Sequence, residues 1–236
     1  ENKVMSLKTR FGNLGNILDF DNLTEENIYV LDSPILTNSQ LNKFKKFFSK
    51  KVKVIDCTFE IKSSLKNRID DIREEAETAV REGSTSLILS DKNISNQKAS
   101  IPSILTVGAV HSHLVKHGLR GYCSLNVECS DALDTHSFAV LIGVGATTVN
   151  PYLAIDSIYQ RFEKKLFGKS DFENCVVKFK KSIDAGLLKI MSKMGISVIS
   201  SYRGGCNFEA VGLSRAIVSN YFSGMSSRIS GIGIIG

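Results

Sequence analysis

The stretch SLILS, residues 86–90, decides the fold class of this chain. It is short and nearly all apolar, which is typical of a strand covered on both faces of a parallel sheet. Residues 63–82, which precede it, are highly charged and carry apolar residues at helical spacing, so they predict a long amphipathic helix. KVKVIDC, residues 51–57, is a second strand with clustered β-branched residues. Strand, helix and strand in this order form the unit of a parallel α/β sheet.

The same alternation extends in both directions along the chain. Strands are predicted at residues 27–31, 51–57, 86–90, 123–128, 146–150 and 196–200, and helices at 39–49, 63–82, 103–118, 131–143, 151–166, 172–194, near 208 and at 214–222. This pattern predicts an α/β fold with a mostly parallel sheet, either open or barrel-like. A complete eight-unit barrel usually needs about 250 residues, so this chain is expected to hold an incomplete TIM-like barrel.

Length and composition favour one globular domain. The chain has 236 residues, of which 42% are hydrophobic and 23% are charged, and such values exclude a disordered or collagen-like chain. Residues 1–25 are polar and contain glycine, so we interpret them as an N-terminal arm or linker, and residues 26–236 as a single α/β domain. Because the chain starts with Glu1 and ends on a Gly-Ile run, we expect it to be a piece of a longer polypeptide.

The net charge of +6 permits a nucleic-acid partner, but the distribution of charge argues against one. The densest basic stretch, residues 43–53, contains lysine and no arginine, so it lacks the residue suited to bidentate base or phosphate contacts. Its rings, Phe44, Phe47 and Phe48, fall at helical spacing and indicate a core-facing stripe. The most apolar stretch, residues 138–154, falls short of the roughly 20 residues of a membrane span. We therefore expect neither a nucleic-acid nor a membrane partner.

The cysteines and histidines form no recognised metal or redox motif. The five cysteines contain no C-x-x-C pair and are expected to be buried thiols. His113 and His117 lie four residues apart on a predicted helix and could share one face, but no glutamate lies between them as in H-E-x-x-H. We interpret them as surface or interface histidines rather than a ligand pair. The G-x-G runs at 143–145 and 231–236 lack the strand-to-helix context of a nucleotide site.

Two turns after predicted strands could hold an anion. Ligands of parallel α/β folds bind at the carboxyl ends of the strands. Asp91 lies directly after SLILS, and Arg203, beside two glycines, follows the predicted strand at 196–200. Each is a candidate anion-binding or interface loop, and the alternative is an ordinary turn. No nucleophile elbow of the G-x-S-x-G type indicates a catalytic residue.

Seven runs of sequence carry a family resemblance. They are LKTRFGN (7–13), DSPIL (32–36), SLILSDKNI (86–94), IPSILTVGAVHSHL (101–114), NPYLA (150–154), GLLKIMSKMGIS (186–197) and FEAVGL (208–213). Over nearly the whole chain they resemble the central domain of the glutamate synthase large chain, in its ferredoxin- or pyridine-nucleotide-dependent forms. The chain departs from the family pattern at residues 111–113, 136–137 and 204–210, which indicates a divergent member.

The resemblance implies a place in glutamate biosynthesis and ammonia assimilation. In that family an amidotransferase domain hydrolyses glutamine, and the ammonia travels through an internal channel. A flavin mononucleotide (FMN) barrel beside an iron–sulfur cluster then reduces the iminoglutarate formed from 2-oxoglutarate. The central domain resembles a degenerate flavin barrel, binds no flavin itself and supports the channel. The resemblance thus implies flanking amidotransferase and FMN-binding domains as partners, and a cytoplasmic location or, in a photosynthetic eukaryote, the plastid stroma.

Within this resemblance the residues favour a non-catalytic role. Residue 1 is Glu rather than the amidotransferase cysteine, and the cysteine cluster of an iron–sulfur centre is missing. The fragment alone is expected to be inactive and without a cofactor, although its parent is an oxidoreductase acting on CH–NH₂ donors. Asp56 and Thr58 follow the second strand, where strand ends would face a neighbouring domain, so we predict that they line the channel; the alternative is an ordinary strand end. Two rival functions are kept as alternatives, although neither is expected: a stand-alone barrel-like enzyme binding flavin or a phosphorylated substrate, and a nucleic-acid-binding module.

Overall fold

The computed structural model describes residues 4–13, 28–205 and 207–234. The strands are β1 (Thr9–Phe11), β2 (Tyr29–Leu31), β3 (Val52–Asp56), β4 (Thr58–Glu60), β5 (Ser86–Ser90), β6 (Lys98–Ser100), β7 (Ser124–Glu128), β8 (Thr148–Asn150), β9 (Glu209–Leu213) and β10 (Ser226–Ile232). The helices are α1 (Asn38–Phe48), α2 (Leu65–Arg81), α3 (Ser103–Lys116), α4 (Thr135–Gly143), α5 (Tyr152–Glu163), α6 (Phe172–Lys193), α7 (Ile199–Tyr202) and α8 (Arg215–Tyr221). Among the described segments, none of these helices combines the length and apolarity needed to cross a membrane.

A four-stranded parallel sheet forms the centre of the fold, in the order β3-β5-β7-β8. Helices α2, α3 and α4 lie between successive strands of this sheet along the chain. Next to β8, Ile35 forms a single parallel β-bridge with Val149, so the segment before α1 lies along the edge of the sheet. Within the described residues the sheet does not close on itself. The prediction of a mixed α/β fold with a mostly parallel sheet and an incomplete barrel is confirmed.

Apolar side chains cover the central sheet on both faces. Leu87 and Leu89 of β5 belong to the larger core, together with the buried residues of α2, α3 and α4. Ile88, between them, points to the opposite face and packs in a second cluster with Phe44 and Phe48 of α1. All five residues of β5 are buried. The prediction that SLILS is a strand covered on both faces is therefore confirmed.

The apolar face of α1 packs against the second face of the sheet. Phe44 and Phe48 are buried with ring centroids 4.9 Å apart, and Phe11 of β1 lies 4.9 Å from Phe44. Phe47 remains half exposed and contacts Tyr29 at 5.0 Å. Two of the three phenylalanines predicted to face the core are thus buried.

The predicted N-terminal arm is described only in part. Its residues 4–13 include β1, which pairs antiparallel with β2, and Ser6 pairs in parallel with Val198. Phe11 is buried. The described part of the arm therefore packs onto the domain, and the rest of it, residues 1–3 and 14–25, lies outside the described residues.

Two predicted elements near the C-terminal end are wrong. The predicted strand at 196–200 pairs only through Val198. The chain then turns into α7, so that Ile199 and Tyr202 bury their side chains from one helical turn. The chain at Phe208 is not helical and leads into β9, which pairs in parallel with β10. Pairing with a strand distant in sequence overrides the local pattern here.

Helix α3 approaches α8 closely at a glycine. A Cβ atom at Gly108 would lie 2.4 Å from the ring of Phe222 and 2.7 Å from the carbonyl oxygen of Tyr221. A clash with a backbone oxygen cannot be relieved by a rotamer change, so a larger residue would displace α8. Gly108 therefore sets the distance between the two helices.

We expect Gly108→Ala to lower the free energy of unfolding by about 1 to 2 kcal/mol, because overpacking of this contact outweighs the helix preference of alanine. Gly121→Ala is the matched control, since a Cβ atom there meets nothing within 4 Å. Urea denaturation followed by circular dichroism measures both variants. Equal losses in the two would contradict the close contact.

Candidate functional site

Four polar residues end the four strands of the central sheet in one row. The register pairs Asp56 of β3 with Ser90 of β5, Ser90 with Glu128 of β7, and Glu128 with Asn150 of β8. Because the strands are parallel, all four residues lie at the carboxyl edge, where ligands of α/β sheets bind. We call Asp56, Ser90, Glu128 and Asn150 the carboxyl-end row.

At one end of the row, Asp56 holds the turn into β4. Its Oδ1 accepts hydrogen bonds from the Thr58 backbone N–H at 3.0 Å and from the Thr58 hydroxyl at 2.8 Å. Its Oδ2 accepts from Asn93 at 3.0 Å and lies 3.8 Å from Lys98. Burial by itself raises the pKa of Asp56, but the hydrogen bonds from Asn93 and Thr58 outweigh it, so the pKa is lowered. The carboxylate is therefore ionised at neutral pH.

Arg68 of α2 fixes the backbone of the same turn. Its Nη2 donates to the carbonyl oxygen of Asp56 at 2.5 Å, and its Nε donates to the carbonyl oxygen of Thr58 at 3.2 Å. Together with Lys98 these residues line an open pocket of about 180 Å³. The two residues predicted to line a channel are thus adjacent, hydrogen-bonded to each other and held rigidly. Thr58 itself is buried.

Glu128 lies in the middle of the row and is almost fully buried. Its Oε2 accepts a hydrogen bond from Ser90 at 2.8 Å and lies 3.6 Å from Lys45 of α1. Its Oε1 lies 2.9 Å from Lys92. Burial raises the pKa of Glu128, but the contacts with Lys92, Ser90 and Lys45 outweigh burial and lower it. A buried carboxylate needs such partners to remain ionised.

The turn after SLILS is held by Asp91, which is buried. Its Oδ2 accepts hydrogen bonds from the backbone N–H of Ser130 at 2.9 Å and from the Ser130 hydroxyl at 2.6 Å. Burial and the charge of Asp91 together raise the pKa of Tyr152, and Lys92 lies 5.1 Å from the centre of the Tyr152 ring. Because Asp91 is negative and Lys92 already contacts Glu128, this turn disfavours an added anion.

Arg203 lies at the opposite end of the sheet. The strand predicted before it is absent, and its Nε donates to the carbonyl oxygen of Ala146, which precedes β8, at 3.2 Å. Burial and the nearby charge of Arg120 lower the pKa of Arg203 to about 10. The two candidate anion loops, at Asp91 and Arg203, therefore occupy opposite ends of the strands and do not form one site.

Arg120 and His111 complete the amino end of the sheet. Arg120 donates to the carbonyl oxygens of Cys123 at 2.6 Å and Gly145 at 2.9 Å, and its Nε donates to Nδ1 of His111 at 3.1 Å. Burial lowers the pKa of His111 to about 4, with further contributions from Arg120 and Arg203. The imidazole is therefore neutral at physiological pH and acts as a hydrogen-bond acceptor.

The carboxyl-end row does not suit general acid catalysis near neutral pH. The lowered pKa values of Asp56 and Glu128 keep both carboxylates ionised, whereas a general acid near pH 7 needs a raised pKa. The described cysteines are buried and free, as predicted; they are Cys57, Cys123, Cys129 and Cys175. Cys206 lies outside the described residues. The expectation that this chain binds no FMN and no iron–sulfur cluster stays a prediction.

Sequence reasoning missed several residues of the site. Glu128 ends a predicted strand, so the strand-end rule that selected Asp91 could have found it. Arg68 and Lys45 carried no such signal, because each reaches the row from a helix whose packing only the three-dimensional structure shows. Asn93 lies within the turn that the sequence had marked as a candidate.

Comparison with known proteins gives the family. Residues 1–214 match the family model described as the glutamate synthase central domain. The chain belongs to the glutamate synthase central domain family. It is 53% identical to the NADPH-type glutamate synthase large chain of Azospirillum brasilense over 239 residues, which cover 100% of this chain and 16% of that protein.

Other relatives include glutamate synthases named as NADPH-type and as ferredoxin-dependent. Identity is 39% with the NADPH-type large chain of Bacillus subtilis, over 98% of this chain and 15% of that protein. It is also 39% with the ferredoxin-dependent glutamate synthase of Pyropia yezoensis, over 100% of this chain and 16% of that protein. This central-domain chain therefore spans about a sixth of the length of these curated relatives.

We expect Glu128→Gln to lower the free energy of unfolding by about 2 kcal/mol, because it removes a buried charge and leaves lysines without their partner. Glu163→Gln is the matched control, since Glu163 is exposed at the end of α5. The urea midpoint of each variant measures the loss. A change in Glu128→Gln no larger than that of the control would contradict the role of the buried ion cluster.

His111 gives a separate prediction for the pH dependence of stability. Its pKa is about 4 in the folded chain, against an ordinary value of 6.5, so the unfolded chain binds the proton more readily. Its contribution to stability is therefore full above pH 6.5 and is lost as the pH falls toward 4, by about 3 kcal/mol in total.

The slope of unfolding free energy against pH in this window tests the His111 assignment. His111→Gln keeps an acceptor for Arg120 but cannot titrate, so we expect a flatter slope between pH 6.5 and 4. His136→Gln is the control, because His136 is exposed. An unchanged slope in His111→Gln would show that this histidine does not titrate as expected.

Proposed function

We propose that this chain is the non-catalytic central domain of a glutamate synthase large chain. In this proposal it links the glutamine amidotransferase and FMN-binding domains and lines part of the internal ammonia channel, in glutamate biosynthesis and ammonia assimilation. The observation that carries it is the family match over residues 1–214, supported by relatives six times longer that are named glutamate synthase.

The wall of the channel is assigned to the pocket at Asp56 and Thr58. The Thr58 hydroxyl donates its proton to Asp56, so its oxygen lone pairs remain as acceptors for an N–H of ammonia. Arg68 holds the backbone on both sides of this hydroxyl. A fixed acceptor at the mouth of a small pocket suits the guidance of a neutral molecule without chemical change.

The charges around Asp56 also favour ammonia over ammonium. An isolated carboxylate would stabilise the ammonium ion, which has no lone pair and cannot act as a nucleophile. Here Arg68 contacts the Asp56 backbone, while Asn93 and Lys98 face Asp56 Oδ2. These groups offset the negative charge, so the pocket gains little from holding a second cation.

In this proposal the domain alone is inactive and its parent chain supplies the oxidoreductase activity. The named relatives include NADPH-type and ferredoxin-dependent enzymes, so the electron donor stays open. A cytoplasmic or plastid location stays a prediction. Neither rival function is favoured by a described feature: the carboxyl-end row has three carboxylates in or beside it, which disfavours a phosphate group, and Lys45 is paired with Glu128.

We expect Thr58→Val in the full-length large chain to uncouple its two half-reactions in part. Valine keeps the volume of threonine but removes the acceptor, so more ammonia escapes before it reaches the synthase site. The ammonia released into solution per glutamine hydrolysed should rise about fivefold, the effect of losing one hydrogen bond of about 1 kcal/mol. Ammonia release and glutamate formation are measured on the same sample.

Thr78→Val is the matched control, because Thr78 is exposed on the same helix that carries Arg68. It should leave the coupling unchanged. Asp56→Asn should uncouple in the same direction as Thr58→Val, since it weakens the hold on the hydroxyl. If both site variants release no more ammonia than the control, the channel assignment is wrong and only the linking role remains.

A further inference from the structure

A second cluster of functional side chains lies on the surface where α2 and α3 pack. His113 and His117 are one turn apart on α3, and the sequence offers no carboxylate near them. The fold brings Glu77 of α2 to the same place, 36 residues away from His113 in sequence. The three side chains form a group with potential metal ligands on two helices.

The distances within this group are those of a nearly formed coordination site. Glu77 Oε2 lies 2.7 Å from His113 Nε2 and 3.9 Å from His117 Nε2, and all three ligand atoms lie within 4.8 Å of one another. Ligands about 2.0–2.1 Å from a tetrahedral zinc ion are about 3.3 Å apart. Shifts of about an ångström in these partly exposed side chains would therefore bring the three atoms onto one ion.

The hydrogen bonds around the cluster leave a lone pair on Nε2 of His117, whereas Nε2 of His113 donates its proton to Glu77 and binds an ion only after that proton has moved to its Nδ1. Nδ1 of His117 lies 2.8 Å from the carbonyl oxygen of His113. A carbonyl oxygen can only accept, so this nitrogen carries the proton and Nε2 of the neutral ring keeps its lone pair. A metal-binding histidine commonly donates its other ring N–H to a backbone carbonyl in this way.

Arg81 orients the carboxylate of Glu77. Its Nε and Nη2 both lie 2.8 Å from Glu77 Oε1, which leaves Oε2 directed toward the histidines. Hydrogen bonds from Arg81 and then His113 lower the pKa of Glu77, so the carboxylate is ionised at neutral pH. Glu77 is thus already oriented and negatively charged in the absence of a metal ion.

The cluster is open to solvent on one side. The side chains of Glu77, His113 and His117 are 22%, 19% and 35% exposed. An ion can therefore enter from solution, and a water molecule can fill the fourth position, as in three-ligand zinc sites. The cysteines that the structure describes are buried, so the accessible donors at this surface are nitrogen and oxygen.

We propose that Glu77, His113 and His117 bind a divalent transition-metal ion of the zinc class, with water as the fourth ligand. Two imidazoles and one carboxylate suit zinc, copper and nickel better than magnesium or calcium. The bound ion would join α2 to α3 and so stabilise the packing of these helices. The residues of this site are different from those assigned to the ammonia channel above.

Zinc titration of the full chain by isothermal calorimetry tests the site. We expect one zinc ion per chain and a rise in the unfolding temperature with zinc concentration, because the ion binds the folded state. His117→Gln and Glu77→Gln each remove one ligand and should weaken zinc binding by about 100-fold. His136→Gln, which removes an exposed histidine elsewhere, should bind zinc like the original chain.

The pH dependence of zinc binding adds a readout that a merely structural role would not change. Binding should weaken in acid, since protons compete with the metal ion for its ligand atoms. Absence of zinc binding would overturn the proposal. The cluster would then be only a set of hydrogen bonds between α2 and α3. Binding of unchanged strength in both ligand variants would also overturn it, because the ion would then lie elsewhere.

Discussion

The register of four parallel strands is the constraint on which the rest of the structure depends. It places Asp56, Ser90, Glu128 and Asn150 side by side at one edge of the sheet. Because apolar layers cover the sheet on both faces, a carboxylate in the middle of the row is buried and needs cations. Lys45 of α1 lies 3.6 Å from Glu128, and the aromatic face of the same helix packs in the second apolar cluster. The packing of α1 thus places one of the cations that Glu128 contacts.

The buried polar groups at the two ends of the sheet find their partners in different ways. At the amino end, Arg120 and Arg203 donate to backbone carbonyls, and burial keeps His111 neutral. These groups close that end of the sheet. At the carboxyl end, Asp56 and Glu128 are the last residues of their strands, and the pocket beside Asp56 is open to the surface.

Local sequence patterns correctly predicted the strands and helices that form because of their own hydrophobic periodicity. SLILS and the long helix before it carry their own periodicity, and both are found with bounds within two residues of those predicted. The segment at 196–200 has the composition of a strand, yet it forms a single β-bridge, between Val198 and Ser6. The chain then enters α7, which buries Tyr202. The misplacement of Arg203 follows from that error, since its site was inferred from the end of a strand. The contacts of Arg68 and Glu77 depend on how helices pack, so local sequence patterns could not predict them.

Helix α2 connects the two regions for which functions are proposed. Arg68 near its start holds the backbone of Asp56 and Thr58, and Glu77 faces the histidines of α3. Nine residues separate them, which is about 14 Å along a helix. Arg68 is therefore one of the contacts that fix the turn at Thr58, together with the carboxylate of Asp56. An ion held between Glu77 and α3 would restrict the movement of α2 against the sheet, and thereby the position of Arg68.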